Sequence, residues 1–155
     1  MYFWNVKALA EELMQKKITP QKKMQYLLAF ILVETISVEL SYWLGIYSKA
    51  NIYDVLYSFF SIAINFLGVI FCYKANKRGD NQDFIERFVC IGLPISIRIL
   101  FLGIVMVGLY IPIGGYFGFY TDSTNIIDFI ICILLEVLYY ARMRSYILKI
   151  STHSI

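Results

Sequence analysis

Long apolar runs alternate with short polar stretches along this chain. The runs cover residues 26–47, 55–73, 88–113 and 126–141. A helix needs about 20 largely apolar residues to cross a hydrocarbon core of about 30 Å. The second run has no charged residue, and the third has only Arg98. The fourth is short, but it extends toward Ile150 if Arg142 and Arg144 reach to the interface along their aliphatic stems. Backbone polar groups in lipid must be satisfied within the segment, so all four runs read as helices. A barrel would need period-two polarity, which Ile126-Ile127 and Ile130-Ile131-Cys132 lack.

Local signals agree with helices. Thr19 can cap the first long helix, and Pro20 suits a first helical position. Gly79 supplies a turn between the second and third runs. Asp83, with Glu86 three residues on, predicts a capping box at the start of the third. Pro94 predicts a kink four residues before Arg98. The Gly- and aromatic-rich stretch 114–125 predicts a loop, either lying in the interface or folded back as a cap or ligand site. Before the first span, Phe3, Val6, Leu9, Ala10 and Leu13 recur at helical spacing, while Lys7, Glu11, Lys16 and Lys17 occupy much of the rest. This segment can lie in the headgroup plane or pack on the bundle; the sequence leaves both open. The expected fold is all-α. A cytoplasmic amphipathic segment (1–19) precedes a transmembrane bundle of four helices (20–150), and a short tail (151–155) follows.

Composition strengthens the membrane reading. Of the 155 residues, 59% are hydrophobic and only 16% are charged, against about 45–50% and about 25% in soluble domains. That balance excludes a disordered chain, a coiled coil, a basic nucleic-acid-binding domain and most soluble enzymes. The net charge of +3 matters less than where the charges fall. Lys7, Lys16, Lys17, Lys22 and Lys23 precede the first span. Lys74, Lys77, Arg78 and Arg87 lie between the second and third, and Arg142, Arg144 and Lys149 follow the fourth. Lys49 stands alone on the other side. The positive-inside rule then puts both termini and the 74–87 loop in the cytoplasm. Tyr42, Trp43, Tyr47, Tyr53, Tyr57 and Tyr110 would mark the outer interface, and Tyr73, Tyr139 and Tyr140 the inner one.

The ionisable residues inside the runs are the candidates for mechanism, because each costs at least ~2.5–3.5 kcal/mol to insert. Counted from the nearest inner cation, Glu34 and Arg98 lie ~16 Å deep, Asn65 ~14 Å and Glu136 ~9 Å. A cluster of Glu34, Asn65, Arg98 and Glu136, one from each span, is therefore expected. Glu39 and Asp128 form an outer acidic pair nearer the far interface. Arg98 can be a structural link to Glu34 or Glu136. Alternatively, the excess of acids serves a proton or cation path, or the polar groups face other copies. On the cytoplasmic loop, Asp83 and Arg87 are the positions of interest. Arg78-Gly79-Asp80 spells an adhesion tripeptide but falls on the wrong face, and is read as chance.

Cys72, Cys90 and Cys132 lie in apolar stretches without CxxC or metal-ligand spacing, so they read as small buried hydrophobes. No phosphate loop, HExxH or GxSxG occurs. Neither a metal nor a cofactor is expected, nor an enzyme. The expected partners are the bilayer and either a second copy or a membrane or toxin protein, with no nucleic acid. The stretch from Tyr73 to Arg98, with N-K-R-G-D-N-Q-D-F-I-E-R-F and then S-I-R after an apolar run, resembles small uncharacterised bacterial multi-pass membrane proteins. The resemblance covers about a sixth of the chain and implies no named activity. It points to Asp83, Phe84, Arg87 and Arg98. The expected function is an accessory, immunity or defence-type role in the bacterial inner membrane. The alternative is a small channel or cation-coupled transporter using the intramembrane acids and Arg98.

Overall fold

The computed structural model describes residues 2–43, 51–118 and 123–153, with backbone only for 37–43. These residues form five α-helices and no strand. They are α1 (Val6–Met14), α2 (Pro20–Trp43), α3 (Ile52–Lys77), α4 (Phe84–Phe117) and α5 (Ile126–Ser151). Of these, α3 and α4 are long and apolar enough to cross a membrane. α2 and α5 are interrupted by Glu34 and Glu39, and by Asp128, Glu136, Arg142 and Arg144.

The helix starts follow from their caps. The Asn5 side chain accepts from the Ala8 N–H, and Thr19 Oγ1 accepts from the Lys22 N–H ahead of α2. Asn51 and Asn125 each build a full capping box, with Asp54 and Asp128 returning a bond to the cap N–H. The box expected at Asp83 and Glu86 does not form. Asp83 is left-handed (φ 50°) and makes no side-chain cap bond, while Glu86 is drawn to Lys23. The loop expected from residue 114 begins later. Gly114 to Phe117 continue α4 past Pro112, and the helix ends where Gly118 takes φ +75°. Only glycine adopts that conformation cheaply, so the stop falls there. Of the first span, 44–47 lie outside the described residues.

α5 lies between α3 and α4, and α2 packs on the other side of α4. Among the described residues α2 and α3 do not pack together, so the long helices follow the order α3, α5, α4, α2. α1 packs on α4 and α5, its Val6, Leu9, Ala10 and Leu13 all buried. It runs antiparallel to α4: Trp4 lies at Arg98 and Lys16 at Gln82 and Asp83. The apolar face that the sequence offered to either headgroups or protein is spent on protein. The core lies at this end, where α1 meets Tyr26, Cys72, Cys90, Ile91, Met143 and Ile147. Cys132 departs from expectation, being exposed on α5 while Cys72 and Cys90 are buried.

A polar seam between two helices and a locked turn

Along α3, Ser61, Asn65, Gly68 and Cys72 follow one another at three- and four-residue spacing and so share a face. Glu136 and Tyr140, one turn apart on α5, meet them. Glu136 Oε1 accepts from Ser61 Oγ at 2.7 Å and from Asn65 Nδ2 at 2.5 Å. Tyr140 donates its hydroxyl to Asn65 Oδ1 at 2.7 Å. Gly68 makes this possible: a Cβ there would stand 2.3 Å from the Tyr140 ring. Glu136 Oε2 is buried and has no partner among the described residues. A buried acceptor without a donor costs about 1–3 kcal/mol. That oxygen is where a further donor or a cation would be held.

The structure joins Asn65 to Glu136 by a hydrogen bond, while Arg98 and Glu34 make no hydrogen bond or ion pair with either among the described residues. Arg98 does not pair with Glu34 or Glu136. Its guanidinium donates to the Trp4 carbonyl and stands over the Trp4 ring, 5.4 Å from the centroid. Trp4 also packs edge-on against Phe101 at 6.1 Å. The reason is directional: α1 lies against α4 and meets Arg98, whereas Glu136 looks toward α3. Arg98 Nε is buried without a partner among the described residues. Glu34 is exposed on α2 and makes no ion pair among the described residues. Ser61, Gly68 and Tyr140 were not anticipated as parts of the site, although the Ser61, Asn65, Gly68 spacing is a readable stripe.

The expected outer acidic pair of Glu39 and Asp128 falls partly outside the described residues. Asp128 Oδ2 accepts from the Asn125 N–H at 2.9 Å and so serves its own helix start. The side chain of Glu39 lies outside the described residues. At this end Asn51 Nδ2 donates to the Thr124 carbonyl at 2.5 Å, which ties the start of α3 to the approach to α5.

At the α1 end the turn between α3 and α4 is locked. Arg87 is only 3% exposed and forks onto both carboxylate oxygens of Asp80. It also donates to Asn76 Oδ1 at 2.8 Å, and Asn76 Nδ2 donates to the Gln82 carbonyl at 3.1 Å. Hydrogen bonding to Arg87 holds the Asp80 carboxyl below its usual value. The Asp80 N–H donates to the Ser151 carbonyl at 3.0 Å. Gly79 lies so close to that carbonyl that a Cβ would stand 2.2 Å from its oxygen. The Arg78-Gly79-Asp80 tripeptide is thus the turn itself, fixed against the end of α5. Asp83 contributes only a long contact to Lys16, 3.9 Å away.

No group of three or more His, Cys, Asp or Glu that could hold a metal ion occurs among the described residues. Comparison with protein-family models, with curated proteins and with solved structures found no match.

Proposed function

We propose that the chain is a polytopic integral membrane protein with α2, α3, α4 and α5 as its spans. In this reading it works without catalysis, through contacts with a second copy or another membrane protein. The observation that carries the reading is the run of exposed large apolar side chains. On α4 they extend from Phe101 to Phe117, on α2 from Met24 to Ile36, and α3 and α5 add Phe59, Phe66, Ile126 and Leu134. In water such a surface associates or aggregates, whereas lipid solvates it. The α4 segment between Arg98 and Gly118 carries no charge and measures about 28 Å, close to the hydrocarbon thickness. The end with α1, the 78–83 turn and Ser151 holds most of the cations, which points that end to the cytoplasm. Trp4 and Arg98 then sit near the inner interface, a place that suits both. A bacterial inner-membrane setting and an accessory, immunity or defence role belong to the same reading.

Alkaline carbonate extraction tests the membrane claim, with the protein expected to stay in the pellet. Reporter fusions at Ser123 and after Ser151 should report opposite sides. The non-transport claim predicts no proton or cation flux from protein reconstituted in liposomes. The unpartnered Glu136 Oε2 favours a second reading, a proton or cation site in the α3–α5 seam. Flux that Glu136→Gln abolishes, in a protein that still folds, would replace the first reading with the second.

A further inference from the structure

A groove of about 570 Å³ runs along the outer side of the α3–α5 pair, lined by those two helices alone. Its size is within the ~300–1,000 Å³ of small-molecule sites. Its depth comes from small residues, Gly68 and Ala75 on α3 and Ala141 on α5. Its walls have a chemical gradient. On α3, Leu67 and Phe71 are followed at helical spacing by Lys74 and then by the C-cap residue Arg78. On α5, Val137 is followed two turns later by Arg144. Both helices therefore pass from apolar to basic in the same direction.

The three cations are unneutralised. Lys74, Arg78 and Arg144 make no ion pair among the described residues, and Lys74 Nζ stands 5.9 Å over its own neighbour's ring, Phe71. On the other helices Lys23 is engaged with Glu86, Arg87 with Asp80 and Arg98 with Trp4, while Lys77 and Arg142, beside the groove residues in sequence, make no ion pair among the described residues either. Three like charges at one mouth of an apolar trough repel one another, and an anion placed between them relieves that repulsion. An anion alone would leave the trough unfilled.

We infer that this groove is a binding site for one anionic phospholipid, its phosphate held by Lys74, Arg78 and Arg144 and an acyl chain lying against Leu67, Phe71 and Val137. Basic pockets between spans on the cytoplasmic side suit acidic headgroups. The inference rests on the membrane reading above, which supplies the lipid at high local concentration and turns the groove toward it. Tyr140 lines the groove and also holds Asn65, so an occupied groove touches the polar seam through that ring.

The test is native mass spectrometry of the purified, delipidated full chain titrated with phosphatidylglycerol or with phosphatidylcholine of matched acyl chains. One phosphatidylglycerol per chain is expected, at least about ten-fold tighter than phosphatidylcholine. Lys74→Gln/Arg78→Gln/Arg144→Gln should remove that preference. Lys7→Gln/Lys17→Gln/Lys149→Gln, the same charge taken from exposed positions elsewhere, should keep it. Ala141→Phe, which fills the trough and leaves the cations, should weaken both lipids. Arg144→Gln alone reads the effect at smaller size if the triple variant unfolds. A triple variant that keeps the preference overturns the site, as does a control variant that loses it equally. Competition by glycerol phosphate at concentrations comparable to the lipid also overturns it, because an anion would then suffice. The membrane reading fails separately, in carbonate extraction of the unmodified chain, whatever the lipid titration reads.

Discussion

Tyr140 and Gly68 make the α3–α5 seam a matter of single atoms. Gly68→Ala puts a methyl group inside the Tyr140 ring, so the ring must swing and its hydroxyl leaves Asn65. A loss of about 1–3 kcal/mol is expected, read as a lower melting temperature in detergent. In a Tyr140→Ala background the same substitution should cost far less, because the ring is gone. Asn65 and Glu136 were legible in the sequence because both are polar, sit in apolar runs and lie at similar depth. Arg98 was misread for an identifiable reason. Its depth was counted from Arg87 as though that residue marked the interface, yet Arg87 is buried against Asp80 and Asn76. A cation count does not distinguish a surface anchor from a buried partner. Position along a helix gives depth but not azimuth, so Glu136 was not seen to face α3 while Arg98 faces α1.

At the scale of elements, helix existence was readable from apolar runs and the start of α2 from Thr19 and Pro20, while the caps at Asn51 and Asn125 went unread. Asn51 and Asn125 each stand three residues before an aspartate and start α3 and α5 by that means. Asp83 stands three residues before Glu86 and does not, because its backbone is left-handed and Lys23 takes the glutamate. The attachment of α1 depends on Arg98. Arg98→Ala should loosen α1, seen as faster proteolysis ahead of Pro20, with a loss of about 1–3 kcal/mol. Adding Glu136→Ala should give no rescue, the two effects summing within about 0.5 kcal/mol, since the residues share no partner. Recovery in the double variant would show the arginine and the acid to be paired after all. The α3–α4 turn gives a pH prediction. Asp80 has a lowered value in the fold, so its contribution is complete above its ordinary value of 3.8 and is lost as pH falls through the lowered one. Asp80→Asn should remove that acid limb from the stability profile. It should also cost about 3 kcal/mol at neutral pH, because Arg87 is left buried without its counter-ion.

Across the whole molecule, the described residues are packed at one end and expose large apolar side chains toward the other. At the α1 end five helices bury a common core, and beyond it large apolar side chains face outward. The apolar runs made a lipid-facing bundle foreseeable, but not this division. They did not reveal that α1 lies alongside α4, since an amphipathic helix meets headgroups and protein equally well by composition. Nor did they reveal the row α3, α5, α4, α2, because packing order depends on side-chain shape over distances a linear pattern does not encode. The same division sets how the three thiols meet a reagent. Cys72 and Cys90 are enclosed, while Cys132 stands on the bare surface four residues from Glu136. In detergent, a membrane-permeant maleimide should alkylate one thiol per folded chain and three after denaturation, counted by mass shift. In intact membranes a charged, impermeant maleimide should alkylate none. The unaltered sequence therefore carries its own depth gauge. The extent to which a fluorophore attached at Cys132 is quenched by spin labels placed at known positions along lipid tails would measure how deep the seam lies, without an engineered cysteine.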